Sequence, residues 1–148
     1  MKNENFEYCK RIAEELELYT EGKAYKCPHC EELHSMEEYE ETEHENENGD
    51  ICYTCPHCGE EIEESELEAV SIYDYFNRDI FDIEYRSNAE GEYRSVKIMI
   101  AYGGPNIYID TSRKAVLLYW WSESAEYSLL SSTCNEIDNY FEELYNCR

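Results

Sequence analysis

Lysine and arginine are missing from Cys27 to Val70, 44 residues that carry 16 acidic side chains. A stretch without cations repels phosphate, which argues against direct nucleic-acid binding and against attachment to acidic membranes. Proline is scarce, at Pro28, Pro56 and Pro105, and two of the three sit inside short cysteine motifs. No apolar run is long enough to cross a bilayer. The first residues, MKNENFEYCKR, are polar and helical in character and do not read as a secretory signal. These absences predict a cytoplasmic protein whose cysteines are reduced or metal-bound rather than disulfide-bonded. Glycine is also uncommon, with 6 residues. The YGGP segment at 102–105 lacks the lysine and following helix of a phosphate loop and reads as a turn. No serine, cysteine or carboxylate arrangement carries a nucleophile signature, and Cys134 and Cys147 read as small helix thiols. The expectation is a protein that is not an enzyme.

What is present is charge, aromatic rings and cysteine. The net charge is −23 over 148 residues, and 14% of the chain is aromatic, with 15 tyrosines and 2 tryptophans. Such rings serve cores and recognition surfaces alike. The charge is uneven: residues 1–26 sum to −1, residues 27–70 to −16 and residues 71–148 to −6.

The cysteines lie at 9, 27, 30, 52, 55, 58, 134 and 147. Cys27 and Cys30 frame one Cys-Pro-His-Cys knuckle, and Cys55 and Cys58 frame a second. Each knuckle offers two thiolates, and two knuckles close a tetrahedron, so the four are candidate ligands of a structural Zn2+. Pro28 and Pro56 pre-set the turns, and Gly59 supplies permissive backbone after the second; Glu31 stands in the matching place after the first. Cys52-x-x-Cys55 is an alternative pair, disfavoured because the Pro-His filling repeats only in Cys27–Cys30 and Cys55–Cys58. His34 and His44 are alternative ligands that would replace a thiolate; His29 and His57 sit inside the knuckles and are expected to point outward. A four-thiolate site is closed to water and substrate, which favours structure over metal catalysis.

The fold class expected is α+β: a four-cysteine, zinc-ribbon-like module plus a small antiparallel sheet of three or four strands flanked by helices. Three segments are expected. Residues 1–23 hold an N-terminal helix (4–20) with Phe6, Cys9, Ile12, Ala13, Leu16 and Tyr19 on one face and Gly22 as a stop. Residues 24–69 are the acidic ribbon; its EEYEETEHENENGD stretch reads as a long loop or loose hairpin with a turn at 48–50, and EEIEESELEAV can begin a short helix. Residues 70–148 form an α+β domain. A helical turn or two near SIYDYFNRD has Ser71 as its cap. Strands follow at 80–86, 93–102, 106–110 and 115–121. A C-terminal helix closes the chain, with Thr133 and Glu136 as a capping box and Ile137, Tyr140, Phe141 and Leu144 on its apolar face. One face of the sheet packs on helix, and the other carries Lys97, Met99, Tyr108 and Tyr119 or Trp121.

The two knuckles, followed by SIYDYF, DIEYR, YRSVKIMIAYGGPNIYID, LYWW and IDNYFEELY, resemble small proteins encoded by phages and mobile elements of Gram-positive bacteria. Within that setting the chain is similar to zinc-containing anti-CRISPR proteins directed at the type II (subtype II-A) effector, the RNA-guided DNA nuclease. The resemblance covers nearly the whole chain, and YGGPNIYID…YWW is its most specific part. It implies inhibition by binding in the bacterial host cytoplasm, and it assigns no site residue beyond the knuckles.

The charge reading agrees with that implication. Glu37, Glu38, Glu40, Glu41, Glu43, Glu45, Glu47, Asp50, Glu60, Glu61, Glu63 and Glu64 are the candidate binding residues. They would mimic nucleic acid on the nuclease's basic surface and block the loading or cleavage of target DNA. The alternative is a phage-encoded zinc-ribbon adaptor that binds RNA polymerase or another host nucleic-acid-handling protein. A monomer is favoured over a dimer built on the first and last helices.

Overall fold

Val96, Ile98 and Ile100 alternate with Ser95, Lys97 and Met99, and a period of two sends each set to its own side of a sheet. The structure, a computed structural model, describes residues 2–20, 22 and 24–148; the boundary expected at residue 23 lies outside that set. The first half of the chain runs α1 (Lys2–Leu18), β1 (Ala24–Lys26), β2 (Leu33–Ser35), α2 (Met36–Glu40), β3 (His44–Glu45), β4 (Ile51–Thr54), β5 (Glu61–Glu63), a 3-10 turn (Glu64–Glu66) and β6 (Glu68–Ala69). The second half runs α3 (Ile72–Tyr75), β7 (Asp82–Ser87), β8 (Tyr93–Ala101), β9 (Asn106–Asp110), β10 (Ala115–Trp120), β11 (Glu123–Ser128) and α4 (Ser131–Asn146). These fall into two units: Met1–Glu17 with Tyr75–Arg148, and Leu18–Asp74. The N-terminal helix, set apart in the sequence reading, thus clusters with the C-terminal segment. Among the described residues no helix is long and apolar enough to cross a membrane.

The first unit is an antiparallel meander in the order β11-β10-β9-β8-β7. Register places Ile83 and Tyr85 of β7 beside Ile98 and Val96 of β8, Ile109 beside Ile98, and Val116 and Leu118 beside Ile109 and Ile107. That face is the core, joined by Cys9 and Leu16 of α1 and Cys134, Ile137 and Phe141 of α4, all buried. The Tyr93 hydroxyl donates to Asp138 of α4 (2.6 Å) and the Tyr145 hydroxyl to the Gly91 carbonyl (2.6 Å), tying α4 to the sheet. On the other face Lys97 lies over the Tyr108 ring at 4.6 Å.

Three expectations need correction here. The sheet has five strands, not three or four. β11 (ESAEYS) is an edge strand paired on one side only, so it carries little apolar alternation to announce it. α4 begins at Ser131 behind Leu130, with no side-chain cap; Thr133 is buried inside the first turn, so the Thr133–Glu136 capping box does not form. Trp121 leaves the strand: it sits in the β10–β11 turn with φ of 56° and is 88% exposed.

The second unit holds two small sheets, β2-β1-β6 and β3-β4-β5. The stretch expected to be loop or loose hairpin is more ordered than that. Ser35 caps α2 by accepting from the Glu38 N–H, and Tyr39 of α2 is fully buried. The β3–β4 hairpin closes over Gly49 at φ of 81°, the left-handed conformation its turn requires. EEIEESELEAV forms β5, the 3-10 turn and β6 rather than an α-helix.

Candidate metal centre

Each knuckle is the tip of a hairpin. β1 and β2 pair through Lys26 and Leu33, and Cys27–Cys30 turns between them; β4 and β5 pair through Thr54 and Glu61 around Cys55–Cys58. The two tips repeat one pattern of backbone bonds. Cys27 N–H donates to the Glu32 carbonyl (3.0 Å) and Glu31 N–H to the Cys27 carbonyl (3.0 Å). Cys55 N–H donates to the Glu60 carbonyl (3.0 Å) and Gly59 N–H to the Cys55 carbonyl (2.9 Å). Inside each turn a histidine N–H points at sulfur: His29 to Cys27 Sγ and His57 to Cys55 Sγ, both at 3.4 Å. Both histidine side chains are solvent-exposed, as the sequence predicts.

The hairpins bring the four predicted ligands together. Cys27 and Cys58 sulfurs lie 3.8 Å apart, Cys30 and Cys55 3.7 Å apart, and all four lie within 4.8 Å of one another. Disulfides would require about 2.05 Å, so these are thiols. A tetrahedron with metal–sulfur bonds of about 2.3 Å has edges of about 3.8 Å, and these two distances match it. The quartet is therefore compatible with a metal site.

The thiols share their protons unequally. Burial resists ionisation of Cys55, but the N–H groups of Cys58 and His57 and the neighbouring thiols outweigh it and bring its pKa down to about 6. For Cys30 the Glu32 N–H favours the thiolate, yet lost water and three adjacent thiols win, and it is pushed up to about 12. A cation that replaces those protons relieves the crowding.

Beneath the quartet lies an apolar floor of Tyr39, Tyr53 and Ile62, flanked by Tyr25, Met36 and Leu67. His34 lies beside the four-cysteine cluster: its Nε2 stands 3.8 Å from Cys55 Sγ while Nδ1 meets Glu38 at 3.0 Å. This contact with a quartet sulfur was not foreseen from the sequence, where His34–Glu38 at i,i+4 was the available signal. Cys52 and His44 are also apart from the quartet. They face each other across β3–β4, with Glu61 within 4.8 Å. The Thr42 carbonyl and Glu61 carboxylate raise the His44 pKa.

The twelve predicted acidic residues all lie in this unit, and every one is exposed. They come from α2, β3, the β3–β4 turn, β5, the segments between them and, for Glu64, the 3-10 turn that follows β5. Among the described residues, Glu38 and Glu61 meet histidines, and no lysine or arginine pairs with any of the twelve. No family model, curated protein or solved structure matches this chain.

Proposed function

We propose that this chain is a stoichiometric inhibitor. In this reading a zinc-held, anionic unit docks in a lysine- and arginine-rich groove of a nucleic-acid-handling protein, with the type II (subtype II-A) CRISPR effector nuclease as the partner. One observation carries it: twelve exposed carboxylates lie on one unit, and among the described residues no lysine or arginine pairs with any of them. Their charges add instead of cancelling, and guanidinium and ammonium groups built to hold phosphate pair with carboxylates in the same way. A nuclease of this kind holds its heteroduplex in a positive channel and reads a short duplex motif with arginines. An acidic unit lodged there keeps target DNA out. Zinc is the proposed ion, since four thiolates with these edges are its preferred structural donor set. Its coordination is then filled, and the protein works by binding rather than by chemistry.

The test is a cleavage assay with purified nuclease, guide and target DNA. Inhibition should appear near one protein per nuclease and weaken with salt. Normal cleavage at several-fold excess ends the proposal. Reversing charges within 37–64 should relieve inhibition, and unchanged inhibition would move the contact elsewhere. Retention of RNA polymerase instead of nuclease from host lysate would favour the adaptor reading.

A further inference from the structure

His44, Cys52 and Glu61 form a second convergence of metal-ligating side chains, distinct from the four-cysteine quartet. They share the face of the β3-β4-β5 sheet opposite Tyr53 and Ile62, because Cys52 and Tyr53 are consecutive on β4 and Glu61 and Ile62 on β5. We infer that this trio is a second divalent-cation site, for a borderline cation of the zinc class, with three protein donors and a fourth position open to an outside ligand.

His44 Nδ1 lies 2.9 Å from the Thr42 carbonyl oxygen, which only accepts, so Nδ1 carries the hydrogen. In the neutral ring Nε2 then presents a lone pair, and it faces Glu61 Oε1 at 2.8 Å. Two acceptors at that separation require a cation between them, either a proton or a metal. A proton satisfies two groups; a metal recruits more. Here a third donor converges, Cys52 Sγ, on a side chain that is fully buried.

The outer shell is also in place. Thr42 anchors the carbonyl that orients His44: its hydroxyl donates to the Tyr39 carbonyl (2.8 Å) and accepts from the Thr54 N–H (2.9 Å). A histidine whose far nitrogen is pinned to a carbonyl is the usual arrangement around bound metal. Tetrahedral nitrogen–oxygen edges are about 3.3 Å, so Glu61 must swing back by about half an ångström, which an exposed side chain does easily. Nitrogen, sulfur and one carboxylate select zinc-class ions over magnesium or calcium. Binding releases the Cys52 thiol proton and any proton shared by His44 and Glu61. Three protein donors leave the position that exogenous ligands use in open zinc sites.

The test counts ions on the full chain. With excess Mg2+ present to occupy carboxylate-only sites, titration with Zn2+ should saturate at two per chain, one resistant to a competing chelator and one removed by it. With Co2+, the first equivalent should give the charge-transfer band of four thiolates and the second should add that of one. His44→Ala, Cys52→Ser and Glu61→Gln should each abolish the second equivalent and leave the first spectrum unchanged. Saturation of the unaltered chain at one ion would mean that a proton fills the gap, and the inference fails. It fails too if the His44→Ala, Cys52→Ser double variant still binds two. If Cys52→Ser alone also loses the four-thiolate band, it has misfolded, and His44→Ala, whose side chain is partly exposed, decides.

Discussion

Asp110 shows how a single charge is made useful in the five-stranded unit. Its side chain is 1% exposed and meets the Arg86 guanidinium through two bonds, Nη1–Oδ1 at 2.9 Å and Nη2–Oδ2 at 3.1 Å. The N–H groups of Ser112 and Arg113 also donate to Oδ1, at 2.9 and 3.3 Å. Burial works against the carboxylate, but Arg86 and these backbone donors outweigh it and hold its pKa below the usual carboxylate range. The sign follows: stability from this group is fully present above the unfolded aspartate value of about 3.9 and is lost as pH falls through the lower folded value. Asp110→Asn should cost about 2 kcal/mol at neutral pH, the scale of a charged hydrogen bond. The gap between variant and parent in urea unfolding should narrow as pH drops below 4. A gap that stays constant would mean the carboxylate contributes shape, not charge.

At the scale of elements, the two knuckle hairpins differ at one telling position. Gly59 has φ of 76°, and Glu31, its counterpart, has φ of 66° with a side chain to accommodate. Left-handed backbone costs a non-glycine residue about 1–2 kcal/mol, and glycine returns part of that through unfolded-chain entropy. Glu31→Gly should therefore raise the stability of the metal-loaded protein by about 0.5 kcal/mol. Gly59→Glu should lower it by about 1 kcal/mol. Thermal midpoints of the two variants at fixed metal concentration check this, and a lower midpoint for Glu31→Gly would show that the glutamate side chain is needed there. The same hairpin logic explains why Tyr39 is buried in a run of glutamates. α2 has two large apolar side chains, and the cluster beside the knuckle cysteines receives both, Tyr39 within it and Met36 at its flank.

At the scale of the whole molecule, the two units rest on different supports. The meander has a broad aliphatic core from β7 to β10, with α1 and α4 packed on it. Leu18–Asp74 has a small buried cluster, Cys27, Tyr39, Tyr53, Cys55 and Ile62, and two of its five members are candidate ligands. A module of that size is marginal on buried surface alone, and a structural zinc ion contributes about 10–16 kcal/mol of apparent binding energy where one is bound. Removing the ion with a chelator should release amide-exchange protection across 24–69 while β7 to β10 stay protected. Protection unchanged in both units would show that the quartet holds no structural ion. The acidic charge has the same address: it accumulates on the unit that carries the four-cysteine quartet.

What the sequence determined by itself is what local geometry enforces. Two Cys-x-x-Cys turns name Cys27, Cys30, Cys55 and Cys58 because a knuckle needs only four consecutive residues, and period-two alternation names β8, β9 and β10 because each strand carries its own pattern. Only the tertiary structure decided the rest, through register between segments far apart in the chain. It separated Cys52 from the quartet, since β4 turns Cys52 to the opposite face from Tyr53. It made His34 an outer partner of Cys55 across 21 residues and set His44 beside Glu61 across 17. It added β11, whose pairing with β10 supplies the order that its own residues do not announce. Spacing along the chain reports contacts within a turn or a strand, whereas contacts between hairpins exist only once strand pairing has chosen which faces meet.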